Sequence, residues 1–76
     1  MNVTQSEFEF MSHCMAVELT AILMEEKKMS LQEALNVLYN SWTYEKLSDP
    51  ESHLYFQSPG YVYSFLEDEL KALVTR

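Results

Sequence analysis

The sequence predicts a small all-α domain of three helices, with a long first helix and an irregular connector before the last. Three observations carry this. The 76 residues include one glycine and two prolines, so little interrupts a helical backbone. Apolar side chains recur at three- and four-residue spacings. Serines followed three residues later by glutamate stand where helices would begin. The length allows one domain, spanning 1–76.

Ser6 with Glu9 has the spacing of a capping box, so the first helix is expected to run from Glu7 to about Lys28. Lys27 and Lys28 would sit at the negative end of its dipole. At about 1.5 Å per residue this helix is about 32 Å long. It carries two apolar stripes rather than one. Phe8, Met11, Met15, Leu19, Ile22 and Leu23 form the first; Phe10, Cys14, Val17, Ala21 and Met24 form the second. Glu7, Glu18 and Glu25 separate them on one side, and Glu9, His13, Thr20 and Lys27 on the other. A helix so patterned is made to touch two neighbours.

Ser30 and Glu33 form a second capping box, and a helix over about 31–42 buries Leu31, Ala34, Leu35, Leu38 and Trp42, with Val37 and Tyr39 at its flanks. Thr43 to Leu47 can add a short helical turn. Asp49 and Pro50 pair an N-cap with proline at a first helical position. Leu54, Tyr55 and Phe56 read as an irregular segment over the core. Ser58 and Pro59 start the last helix, 60–74, whose face is Val62, Phe65, Leu66, Leu70, Leu73 and Val74. Glu67, Asp68 and Glu69 crowd its exposed side, mostly unpaired, as a candidate acidic patch for a basic partner.

Twelve acidic against five basic residues give a net charge of -7, which argues against nucleic acid as a partner. The apolar run Cys14 to Met24 is broken by Glu18 and Thr20, and the acidic start lacks the basic residues of a secretory signal. A cytoplasmic protein with no membrane partner is expected. A single cysteine excludes an internal disulfide or a paired-thiol zinc site. A chain of this mass buries about 63% of its unfolded surface, about 4,800 Å² remaining of 12,900 Å². Without a staple, such a domain gains from a partner.

No catalytic constellation is visible. Cys14, on an apolar stripe, reads as a buried structural thiol. His13 is four residues from Glu9, a spacing that lets both hold one metal ion, but two ligands make a poor site. A metal-assisted hydrolase built on that pair is the lesser alternative. His53 reads as a loop residue, and the lone Gly60 gives no phosphate cradle. No cofactor or metal is expected. The aromatics of the second half, Tyr39, Trp42, Tyr44, Tyr55, Phe56, Tyr61 and Tyr63 among them, are too many for so small a core to enclose fully.

The succession Phe10 to Cys14, Met29-Ser30, Leu35 to Tyr39, then Ser58-Pro59-Gly60 leading into Leu66-Glu67-Asp68, resembles a family of short bacterial proteins, domain of unknown function 3791. The resemblance spans about Glu7 to Leu73. Pro59 departs from the family pattern, as does Glu69-Leu70 where a second Asp follows an apolar residue. The family's association with ADP-ribosyltransferase-like neighbours implies a partner-binding or antitoxin-like role. The residues themselves point to a non-enzymatic helical interaction module, self-associating through Phe10, Cys14, Val17, Ala21 and Met24, the stripe a three-helix monomer covers least. The alternative is a regulatory partner of another bacterial protein, using Glu67, Asp68 and Glu69.

Overall fold

The computed structural model describes residues 4–74, with side chains described through Ala72. The chain forms an all-α domain of four helices: α1 (Gln5–Glu26), α2 (Leu31–Tyr39), α3 (Trp42–Leu47) and α4 (Pro59–Val74), with 3₁₀ turns at Pro50–Ser52 and Leu54–Phe56 between the last two. No strand occurs among the described residues.

The first helix starts two residues earlier than its Ser6–Glu9 spacing predicted. Thr4 and Glu7 have the same spacing and come first. The Thr4 hydroxyl accepts the Glu7 N–H at 3.1 Å, and the Glu7 carboxylate accepts the Thr4 N–H at 3.1 Å. Glu9, freed from capping, accepts from the Gln5 side-chain amide at 3.1 Å. The helix also stops earlier, at Glu26. Lys27 caps it by donating its N–H to the Leu23 carbonyl at 3.0 Å, and Lys28 adopts φ 58°, a left-handed conformation that turns the chain back.

The second box forms as expected, with Ser30 and Glu33 exchanging bonds of 3.2 and 3.0 Å. The helix it starts ends at Tyr39 rather than Trp42. Ser41 is extended, and its hydroxyl donates to the Leu38 carbonyl at 2.6 Å while accepting the Tyr44 N–H at 3.0 Å. One side chain thus closes α2 and opens α3. Trp42, expected on the buried face, is instead 75% exposed, and Leu31 is 55% exposed.

The connector is more regular than predicted. Asp49 caps its first 3₁₀ turn by accepting the Glu51 N–H at 3.0 Å, ahead of Pro50. His53 occupies the left-handed region at φ 60°. Tyr55, from the irregular segment expected over the core, sets its ring edge-on to Phe8 of α1 with centroids 5.0 Å apart. Ser58 then accepts the Tyr61 N–H at 3.3 Å and α4 follows from Pro59.

Every helix gives the core at least one fully enclosed side chain: Leu19 and Leu23, Leu38, Leu47, then Val62 and Leu66. The first stripe of α1 faces this core, with Met11 and Ile22 half-buried at its margin. On α4, Phe65, expected on the buried face, is 44% exposed, while Tyr63, which the periodic face left out, is buried; Leu73 and Val74 lie outside the described side chains. The radius of gyration is 12.4 Å, above the about 11.4 Å of a rounder chain of this length. The long α1, at about 33 Å, spans most of a length equal to the 39 Å principal extent. Among the described residues, no helix is long and apolar enough to cross a membrane.

Candidate functional site

α1 has 22 residues, about six turns, and the core covers only one side of it. Phe8, Met15, Leu19 and Leu23 face inward. The second stripe faces water along its whole length: Phe10 is 69% exposed, Val17 54% and Met24 38%, and Cys14 and Ala21 are exposed between them. Cys14 is therefore a surface thiol, not the buried structural one its apolar neighbours implied. The thiol lies on the wrong stripe for burial, about 100° from Met15.

α2 extends this face sideways. A shallow cleft of about 260 Å³ runs between the two helices, with Val17, Ala21 and Met24 on one wall and Leu31, Leu35 and Tyr39 on the other. No residue lining it carries a formal charge with histidine neutral. Thr20, expected on a polar divider, is instead buried at its floor, where its hydroxyl donates to the Ala16 carbonyl at 2.8 Å. Ala16 and Thr20 are small, which lets α2 approach α1 closely. Leu31 and Tyr39 were missed because their spacing matched the core stripe or its margin. The signal that distinguishes them is the brevity of α2, whose nine residues leave both at its ends.

The acidic cluster on α4 does not form a free patch. Glu69 is half-buried and spans to α3, accepting the Trp42 N–H at 2.7 Å, the Thr43 N–H at 3.1 Å and the Thr43 hydroxyl at 3.0 Å. Together with the Ser41 hydroxyl it satisfies the donors at the start of a six-residue helix, one too short to hold itself. Glu67 pairs with Lys27 at 3.4 Å. Only Asp68 remains exposed without such a role. The three acidic residues are thus divided between helix capping, an ion pair and solvent.

A wider groove of about 940 Å³ opens between α3 and α4, bounded by Trp42, Leu54, Phe65 and Asp68. Its walls mix an ammonium, Lys46, with carboxylates, so no single ligand charge is favoured. His13 is exposed, and among the described residues no three metal-ligating side chains converge. Among the described residues, two hydroxyls, Ser12 Oγ and Tyr63 Oη, are shielded from solvent without a hydrogen-bond partner. Burial raises the Tyr63 hydroxyl above the usual tyrosine range; Lys27 opposes this, and Glu67 and Glu26 reinforce it. Comparison with protein-family models, with curated proteins and with solved structures finds no match to this chain.

Proposed function

We propose that this chain is a helical protein–protein interaction module that works by binding rather than catalysis, and that its primary partner is a second copy of itself. The observation that carries this reading is the exposure of all five residues of the second α1 stripe, Phe10, Cys14, Val17, Ala21 and Met24. A contiguous apolar row on a small monomer is an association surface. Hydrophobic burial, at about 25 cal/mol per Å², supplies its driving force. Absolute mass measured by light scattering over a dilution series tests this: the expected result is a dimer that dissociates on dilution. Val17→Glu is expected to give a monomer with unchanged helical ellipticity. A wild-type mass equal to one chain at every concentration, or an oligomer indifferent to Val17→Glu, counts against it.

The regulatory alternative, in which a basic protein docks on α4, retains Asp68 as its one carboxylate without a structural task. Charge reversal at Asp68 is the informative test there, because Glu67 and Glu69 have intramolecular partners whose loss would disturb the fold.

A further inference from the structure

The second stripe of α1 steps alternately by four and three residues from Phe10 to Met24, the 3.5-residue average of a helix-pairing seam. Its two flanks differ. On one side stand Glu7, Glu18 and Glu25, all exposed. On the other, α2 continues the apolar surface through Leu31, 55% exposed, and Tyr39, 54% exposed.

Two-fold symmetry allows two ways of joining such faces. With the axis along α1 the helices run parallel, and each acidic flank lies against the partner's α2 rim, which would strip water from Glu18 and Glu25 with no cation in the cleft to receive them. With the axis across α1 the helices run antiparallel. The α2 rims then adjoin, apolar to apolar, and the acidic flanks share an edge open to water, where salt screens their repulsion over about 8 Å.

Resting on the self-association read above, we propose that two copies pair antiparallel through α1, with Val17 near the axis, Phe10 of each approaching Met24 of the other, and Leu31 and Tyr39 of α2 completing the contact. The occupant of the face is a second copy because the cleft residues are uncharged and the antiparallel two-fold axis sets apolar rim against apolar rim; a basic partner would find no carboxylate in the cleft. With 150–250 Å² for an aromatic side chain and less for an aliphatic one, the exposed fractions of Phe10, Val17, Met24, Leu31 and Tyr39 amount to on the order of 500 Å² per copy. The pair therefore buries at most about 1,000 Å², the size of a weak, reversible interface. A contact of this size is expected to dissociate on dilution and, because the two acidic flanks adjoin, to tighten as salt is added.

The test uses the full chain in a Cys14→Ser background. Met24→Cys alone is expected to give no oxidative cross-link. Mixed with Phe10→Cys chains, distinguishable by mass, it is expected to cross-link only between unlike chains. Leu31→Lys, at an exposed position and lowering the net negative charge, is expected to weaken the dimer at least tenfold with helical ellipticity unchanged. A Met24-to-Met24 position cross-link, or a dimer unaffected by Leu31→Lys, overturns the antiparallel arrangement while a Val17→Glu-sensitive dimer leaves the self-association reading standing. A monomer at every concentration removes both.

Discussion

Removing the Glu69 carboxylate strips two N–H groups at the start of α3 of their acceptor. Bonds to a charged acceptor exceed neutral ones, and orphaned donors add to the loss. Glu69→Ala is expected to cost about 1–3 kcal/mol and to speed amide exchange in α3 before the other helices, readable by hydrogen–deuterium exchange. Tyr63 presents the opposite case. Its hydroxyl is shielded and unpartnered, so Tyr63→Phe removes an unsatisfied polar atom and is expected to leave the melting temperature unchanged or raised. With its pKa raised by burial, Tyr63 contributes stability that is present below the ordinary tyrosine range and lost as pH climbs through that range toward the folded value. The Phe variant is therefore expected to hold its ellipticity better than wild type in alkaline titration.

At the scale of elements, α1 and α2 both begin with a reciprocal cap. The bonds from Thr4 lower the Glu7 pKa, and those from Ser30 lower that of Glu33. A carboxyl depressed on folding contributes above its unfolded value, about 4.3, and loses that contribution as pH falls through the folded value. Acid titration followed by helical ellipticity is expected to show both helix starts fraying below about pH 4.3. Ser30→Ala is expected to cost about 1 kcal/mol in a denaturant titration. These starts were legible in sequence because a cap is local: the Ser30 box and the Ser58–Pro59 start needed no knowledge of the rest of the chain. The α1 start was misplaced because Thr4–Glu7 and Ser6–Glu9 offer the same spacing. The α2 end was misplaced because a helical period carries on through Trp42 unless the Ser41 hydroxyl turns toward the Leu38 carbonyl.

For the whole molecule, Leu19 sits fully enclosed near the middle of α1. Leu19→Ala is expected to cost about 2–5 kcal/mol, a large part of the about 4–11 kcal/mol available to a chain of this length. A full denaturation curve checks it. The core stripe of α1 and the uncovered stripe beside it could both be read from periodicity, since a helix of about six turns has one azimuth for each. The contribution of α2 to the uncovered face could not, because it depends on where α2 lies against Ala16 and Thr20. The fate of the acidic residues was likewise hidden, since the partners of Glu69 lie 26 and 27 positions away.

The exposure of Trp42, 75%, has an optical counterpart. The sole indole of the chain is bathed in water before and after denaturation, so its emission maximum starts near where an unfolded chain would put it. The emission maximum will then shift little across the transition that ellipticity records. A nearly silent fluorescence trace beside a full ellipticity transition reflects the placement of one ring outside the core, whereas displaced midpoints would signal a populated intermediate.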